Sequence, residues 1–289
     1  MNIKKSVLGL SVGALLGFGG VAQSDELIID LFDTNQGDTI ALLPNLYVDG
    51  FADGTSEGGS ISTAGTDILG LERDIYVELV SGTGLASAGV SEGKFNFGVN
   101  PGGFGTASVQ WDGADDSETL NYGLGDIDLS GFDNFEVITE SSDLGFEFMV
   151  GIYTSADVFT ELTLLSHKVD PGSPALSHLQ LFTFSLNAFQ FITDGDGDTC
   201  NTGDGFDFPF ANPNVLNMSC GSAGVADLTK VNAIQLIIDP NAKGVGGNGA
   251  IDLQLNSIKA VPEPTSLTLL GLGLLGAGAV RRKAKKINA

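Results

Sequence analysis

The sequence has little of the residue types on which many catalytic centres depend. Among its 289 residues are 2 cysteines and 2 histidines, and the sequence joins neither histidine to a serine or cysteine nucleophile. A zinc hydrolase would need more ligands at characteristic spacings. We therefore expect no catalytic residues of these kinds. Two carboxylates would suffice for a glycosidase, but the sequence singles out no pair.

Positive charge is scarce between residues 25 and 260. Only six of the 13 lysines and arginines lie in this part, whereas Glu263 is the only one of the 36 acidic residues outside it. Such an acidic surface repels the phosphate backbone, so we expect no nucleic-acid partner. Calcium takes carboxylate and carbonyl oxygens as ligands and is the candidate cofactor.

The same part lacks long amphipathic helical patterns and fixed repeats. Its apolar residues recur mainly at period two, in short runs separated by glycine, aspartate, asparagine and serine, which is typical of half-buried strands. The predicted strands are 27–32, 74–80, 94–99, 106–111, 135–139, 145–153, 159–165, 179–185, 233–239 and 250–258. We therefore predict an all-β fold, with one two-sheet antiparallel β-sandwich of the jelly-roll type over residues 25–260.

The first 24 residues contain the elements of a secretory signal in their usual order. Lys4 and Lys5 precede an apolar segment, and Ala22-Gln23-Ser24 supplies the small residues that signal peptidase accommodates. We expect a signal helix over residues 1–24, cleavage before Asp25 and export of the rest. The alternative, an N-terminal membrane anchor, is disfavoured because the apolar run is short and rich in glycine.

Residues 261–289 combine a helix-breaking motif, an apolar run and a basic end. Pro262-Glu263-Pro264 is followed by apolar residues from Leu267 to Val280, and then by Arg281, Arg282 and three lysines. Because lysine and arginine favour the cytoplasmic side of a bilayer, this order predicts a transmembrane helix whose basic end stays inside the cell. The run is shorter than the usual span of about 20 residues, which favours a transient anchor.

These residues resemble the PEP-CTERM sorting signal of Gram-negative bacteria, which exosortase, a membrane transpeptidase, reads and cuts. The resemblance implies that Pro262, Glu263, Pro264, Arg281 and Arg282 are the sorting residues. It also implies a precursor tethered to the inner membrane and a mature protein in the cell envelope, at the outer surface or in the extracellular matrix. Proteins of this family are associated with exopolysaccharide production, so extracellular polysaccharide is an expected partner.

Both cysteines, Cys200 and Cys220, lie in the part expected to be exported, where a disulfide can persist. We predict that they pair with each other. The alternative is two buried thiols.

An acidic run precedes Cys200. Asp194, Asp196 and Asp198 alternate with glycines, and Asp204 follows. The run resembles the calcium loops of EF-hand and thrombospondin repeats, but Thr199 stands where an EF-hand needs glycine. We therefore expect either a looser calcium site or a solvated acidic turn.

The stretch from Asp227 to Asp239, followed by the strand ending at Ile258, resembles the final strands of galactose-binding-like sandwiches, many of which bind carbohydrate. The resemblance carries no particular binding residue with it. Trp111, at the end of a predicted strand, is a candidate for stacking on a sugar ring, and core packing is its alternative role. We expect first a non-enzymatic structural or adhesive protein, then a carbohydrate-binding module, and last a polysaccharide-cleaving enzyme.

Overall fold

A computed structural model describes most of the chain between Glu26 and Pro262. The described residues are 26–36, 39–40, 43–44, 47–51, 58–65, 67–82, 85–115, 117, 119–143, 145–166, 180–190, 215–239 and 251–262. They contain strands and two short 3-10 helices. No helix within these ranges is long and apolar enough to cross a membrane. The predicted signal helix and the apolar run from Leu267 to Val280 lie outside them.

Sixteen strands are present in the described part of the chain. They are β1 (Leu27–Asp30), β2 (Thr39–Ile40), β3 (Leu43–Pro44), β4 (Tyr47–Phe51), β5 (Gly58–Ala64), β6 (Glu72–Gly82), β7 (Leu85–Ser91), β8 (Lys94–Val99), β9 (Gly103–Trp111), β10 (Asn134–Ser142), β11 (Phe146–Ser155), β12 (Val158–Ser166), β13 (Gln180–Ser185), β14 (Val215–Cys220), β15 (Ala233–Ile238) and β16 (Asp252–Val261). The 3-10 helices are Leu69–Leu71 and Leu186–Gln190.

Two seven-stranded antiparallel sheets form the body of the protein. Sheet I has the order β13-β10-β16-β8-β7-β4, and β1 also pairs with β16. Sheet II has the order β14-β12-β11-β15-β9-β6-β5, and β2 and β3 form a separate pair. This arrangement confirms the predicted all-β, two-sheet antiparallel sandwich.

Alternation along each strand places one face of each sheet in a common core. In β8, Phe95, Phe97 and Val99 are buried, while the residues between them are half-buried on the outer face. Phe148 of sheet II meets Phe182 of sheet I edge to face, with ring centroids 5.3 Å apart. Burying each such ring contributes about 1.5–3 kcal/mol, so the core between the sheets dominates stability.

A buried ion pair joins the sheets near one end. Nη1 of Arg73 in β6 donates to both carboxylate oxygens of Asp30 in β1 at 2.8 Å, and both side chains are fully buried. Nε1 of Trp111 in β9 donates to Oδ2 of Asp30 at 2.9 Å. Gln36 Oε1 and the Thr34 carbonyl accept from the other guanidinium nitrogens, each at 2.7 Å. Asp30 therefore connects sheet I to two strands of sheet II.

The ten predicted strands all correspond to strands of the sandwich, but six further strands were not predicted. Small residues explain one of them. Strand β7 alternates correctly, with Ala86, Ala88 and Val90 buried, yet its serines, alanines and glycine lack the bulky apolar signal of a strand. A sandwich can accept such a strand where larger neighbours fill the core.

The first and last strands lie side by side. Leu27 pairs with Ala260 and Ile28 with Lys259, while β10 pairs along the other edge of β16. Strand β16 ends at Val261, whose carbonyl accepts from Asp133 N at 3.0 Å. Residue 262, the first proline of the sorting segment, therefore follows directly on a strand inside sheet I.

Candidate binding groove

A groove of about 420 Å³ lies on the outer face of sheet II. Strand alternation creates it, because β9 buries Val109 and Trp111 in the core and turns Ser108 and Gln110 outward. The lining combines hydroxyl and amide groups with one phenol ring and one aliphatic chain. The lining residues are Tyr76, Thr106, Ser108, Gln110, Thr119, Gln235 and Ile237.

A ladder of side-chain hydrogen bonds, which we call the polar ladder, leads out of this groove across five strands. Its members are Ser108, Gln235, Tyr153, Glu161 and Ser219. Gln235 Nε2 donates to Ser108 Oγ at 2.9 Å. The Tyr153 hydroxyl donates to Glu161 Oε1 at 2.8 Å and lies 3.0 Å from Gln235 Oε1, and Ser219 Oγ donates to Glu161 Oε2 at 2.6 Å. The ladder holds each of these polar groups in one orientation.

Glycine makes room for the centre of the ladder. A Cβ on Gly151, which precedes Tyr153 on the same face of β11, would lie 2.5 Å from ring atoms of Tyr153. Tyr122 and Phe159 flank the Tyr153 ring, with centroids 6.3 and 5.4 Å away. Burial raises the pKa of Tyr153, and the nearby Glu161 charge adds to the rise. Tyr153 is therefore a neutral hydrogen-bond donor at physiological pH.

An acidic cluster lies at the end of the same face, where β6 begins and β9 ends. Ligand oxygens of Glu72, Asp74 and Asp115 lie within 4.8 Å of one another. Asp74 pairs with Gln110 across the strands, and continuing that register by two residues brings Asp112 opposite Glu72. Glu72, Asp74 and Asp112 are 4%, 2% and 0% exposed. Four carboxyl groups thus share one nearly buried corner of sheet II, which we call the acidic corner.

The environment of Asp112 is strongly anionic. Burial raises the pKa of Asp112 to about 6, with help from the charges of Asp115 and Glu72 and against hydrogen bonds with the Asn121 backbone and the Asp74 side chain. A carboxyl group next to other buried carboxylates resists ionisation, because lost hydration and like-charge repulsion both disfavour its charged form.

The loop after β9 closes over the acidic corner. Asn121 N donates to Asp112 Oδ2, and Gly123 N donates to the Asp112 carbonyl at 2.7 Å. At Gly113 φ is +108°, and a Cβ there would lie 2.8 Å from the Gly123 backbone, so this close approach requires glycine. The loop therefore brings Asp115 to the acidic corner and Thr119 to the groove.

Sheet I has a second groove, of about 360 Å³, on its own outer face. Asn96, Ser141 and Gln254 line it, and Gln254 Nε2 donates to Asn96 Oδ1 at 3.1 Å. Every aromatic ring of sheet I whose burial the structure describes lies in the core. Phe97 borders this groove but is only 2% exposed, so the groove offers mainly small polar groups.

The structure assigns Trp111 to the core. Its side chain is fully buried and its indole nitrogen is bound to Asp30, so the ring presents no face to a sugar. The packing role is therefore the correct one of the two alternatives, and the candidate sugar contact at Trp111 is wrong.

Most other predicted site residues lie outside the described ranges. These are Asp194, Asp196, Asp198, Asp204, Cys200, Glu263, Pro264, Arg281 and Arg282. Cys220 ends β14 and is 8% exposed on the core side, and Pro262 follows β16 half-buried. The calcium loop and the Cys200–Cys220 pairing stay predictions.

No sequence pattern predicts the groove, because its residues come from distant strands that only the sheet order brings together. A weak signal exists for the acidic corner. Glu72 and Asp74 occupy alternate positions in a strand whose other face carries Ile75 and Val77, and Asp112 directly follows a buried strand. Carboxylates beside buried strand residues are unusual enough to mark such a place.

Comparison with protein-family models finds a match in the C-terminal segment of the chain. The model of the PEP-CTERM protein-sorting motif matches residues 260–283. The match confirms the resemblance seen around Pro262, Glu263 and Pro264, and it marks a secreted, exosortase-sorted protein of the cell envelope. No curated protein sequence matches the chain.

Several solved structures are similar at low identity. The Family 11 carbohydrate-binding module of the cellulosomal cellulase Lic26A-Cel5E of Clostridium thermocellum is 12% identical with a TM-score of 0.35, over 82% of this chain and 95% of that one. A Family 11 module from the same organism, in complex with a β-1,3-1,4-mixed-linked tetrasaccharide, is 12% identical with a TM-score of 0.30. That match covers 74% of this chain and 96% of the module. An agarase, AgWH50C, is 13% identical with a TM-score of 0.33, over 64% of this chain and 22% of the agarase chain.

Proposed function

We propose that this exported protein has a structural or adhesive role in the cell envelope or extracellular matrix and holds extracellular polysaccharide through the groove on sheet II. Signal peptidase removes residues 1–24, and the sorting segment tethers the precursor to the inner membrane until exosortase acts. The protein binds the polysaccharide without cleaving it.

The observation that carries this proposal is the chemistry of the groove. Thr106, Thr119 and Gln235 offer hydroxyl and amide groups of the kind that bind sugar hydroxyls, and Tyr76 adds a partly exposed ring. Ser108 and Gln110 lie deeper, at 8% and 6% exposure. Binding sites of this kind combine apolar surface with a few well-placed polar groups. The polar ladder fixes Gln235 and Ser108 before a ligand arrives, which reduces the entropy lost on binding.

Binding without cleavage is the favoured form of this activity. Most glycoside hydrolases need two carboxyl groups at the scissile bond, and none of the described residues that line the groove carries one. A dedicated carbohydrate-binding module is the second candidate, favoured by the partly exposed Tyr76 ring. The two candidates differ in selectivity, because a dedicated module would prefer one defined oligosaccharide whereas an adhesive protein would bind the assembled polymer.

The test is cosedimentation of the full-length chain, kept in mild detergent, with exopolysaccharide from its host. We expect saturable retention of the wild type. Tyr76→Ala and Gln235→Ala should each weaken it about tenfold, since each removes contacts worth about 1–1.5 kcal/mol.

Gln254→Ala is the matched control. Gln254 also lies on an inner strand of its sheet and makes two side-chain hydrogen bonds, but it faces the groove on sheet I. The Gln254→Ala variant should sediment with the polysaccharide as much as the wild type does. If Gln254→Ala weakened binding as much as the other variants, the groove on sheet II would not be the specific site. If the wild type did not sediment with the polysaccharide, the proposal would be overturned. Release of reducing ends from the polysaccharide would identify an enzyme instead.

A further inference from the structure

The acidic corner of sheet II points to a second activity, cation binding. We propose that Glu72, Asp74, Asp112 and Asp115 form a Ca²⁺ site that fastens the loop after β9 to the start of β6. This inference does not rest on the proposed polysaccharide binding, although Gln110 borders both the groove and the acidic corner. It also concerns a different part of the chain from the acidic run at Asp194.

The geometry fits one coordination sphere. Ca²⁺ binds oxygen ligands at about 2.3–2.6 Å, so two ligands on opposite sides of the ion are separated by up to about 5 Å. The ligand oxygens of Glu72, Asp74 and Asp115 lie within 4.8 Å of one another. Mg²⁺ is less suitable, because it demands a tighter octahedron and keeps several of its waters.

Asp112 supplies the independent indication of a ligand. Its side chain is fully buried, yet its Oδ1 has no hydrogen-bond partner among the residues that the structure describes. A calcium ion bound beside Asp74 would give this Oδ1 the partner that it lacks.

A neighbouring amide oxygen extends the donor set. Gln110 lies opposite Asp74 in the register of β6 and β9, and its buried Oε1 also lacks a hydrogen-bond partner within the described ranges. Amide oxygens are ordinary calcium ligands. A corner of buried carboxylates next to an amide oxygen is costly for the protein alone and favourable around a divalent cation.

The ion would connect elements that are distant in the sequence. Glu72 and Asp74 belong to β6, Asp112 follows β9, and Asp115 belongs to the loop whose Asn121 N already binds Asp112. Calcium should therefore stabilise the attachment of Asp112 and Asp115 to the start of β6 and leave sheet I unaffected.

The test is isothermal titration of CaCl₂ into the full-length chain, stripped with EGTA in mild detergent. We expect saturable binding that is weakened at least about 100-fold in Asp74→Asn/Asp112→Asn, since two charged ligands are lost. The matched control is Asp143→Asn/Asp252→Asn, a neighbouring acidic pair on sheet I in which Asp252 N donates to Asp143 Oδ1 at 2.8 Å. It should bind as the wild type does, and Asp194→Asn/Asp196→Asn/Asp198→Asn should retain binding at the acidic corner.

Thermal melting separates a lost site from a lost fold. Calcium at a hundredfold excess over Kd should raise the melting temperature of the wild type by about 5–10 °C. In EGTA, Asp74→Asn/Asp112→Asn should melt at or above the wild type, because the substitution relieves repulsion between buried carboxylates. The proposal fails if the stripped wild type binds no calcium at millimolar concentration, if this variant binds normally, or if it melts well below the wild type in EGTA.

Discussion

The outer faces of the two sheets are built differently. On sheet II, polar side chains bind one another in the polar ladder, around a groove that also contains an aromatic ring. On sheet I, the outer face carries small polar groups and partly exposed ion pairs such as Lys94–Glu140, where the side chains are 28% and 27% exposed.

The polar side chains on sheet II are held by one another, whereas those of the ion pairs on sheet I are partly exposed to water. An exposed ion pair contributes little and leaves its side chains free to reorient in water. A chain of mutually bonded groups keeps a fixed pattern of donors and acceptors, which a rigid ligand can match. The outer face of sheet II is therefore the better candidate for recognition, although both faces are polar.

The largest expected effect comes from the ion pair that joins the sheets. Arg73→Met leaves Asp30 buried without its countercharge and should lower the free energy of unfolding by about 3–5 kcal/mol. Lys94→Met removes a pair within sheet I and should cost no more than about 1 kcal/mol. Guanidinium unfolding measures both. Equal costs would show that the Arg73 pair does not hold the sheets together.

Two glycine substitutions compare the faces directly. Gly151→Ala should cost about 1–3 kcal/mol, because its Cβ would meet the fixed Tyr153 ring at 2.5 Å. The nearest atom to a Cβ at Gly98 on sheet I would be the end of the Asp252 side chain, at 3.2 Å, so Gly98→Ala should be neutral or stabilising by about 0.5–1 kcal/mol. Thermal or denaturant unfolding would show the difference, and an unchanged Gly151→Ala variant would contradict the fixed position of Tyr153.

The smallest effect expected is that of a single ladder bond. Tyr153→Phe removes the hydroxyl between Glu161 and Gln235 and should lower the free energy of unfolding by about 1 kcal/mol. Ser141→Ala on sheet I loses a longer bond, of 3.2 Å to Gln254, and should cost less than about 0.5 kcal/mol. Denaturant unfolding of the two variants measures both losses in the free energy of unfolding. A larger loss in Ser141→Ala would reverse our ranking of the two faces.

Local patterns predicted the sandwich and the sorting segment well. Strand β8 was predicted at its observed bounds, because Phe95, Phe97 and Val99 alternate with polar residues or glycine. Strand β5 was not predicted, since its run Gly-Gly-Ser-Ile-Ser-Thr-Ala contains one large apolar residue. A strand without bulky residues has no period that sequence alone can reveal.

The residues of the groove and the acidic corner could not be predicted from the sequence, for a different reason. Glu161 binds Tyr153 from the next strand of a hairpin, but Ser219 and Gln235 reach the ladder only through the order of strands in sheet II. The register between β6 and β9 likewise creates the acidic corner. Periodicity predicts strands and their buried faces, whereas strand order and register decide which outward side chains meet.

The position of β16 determines how the protein would respond to force. This strand pairs with β10 along one edge and with β1 and β8 along the other, and the sorting segment continues from its end. A pull transmitted through Pro262 would run along the strand and shear many backbone hydrogen bonds at once, rather than open them one after another. A chain held by its C-terminal segment while polysaccharide pulls on sheet II would therefore resist at one of the best-supported strands of the sandwich.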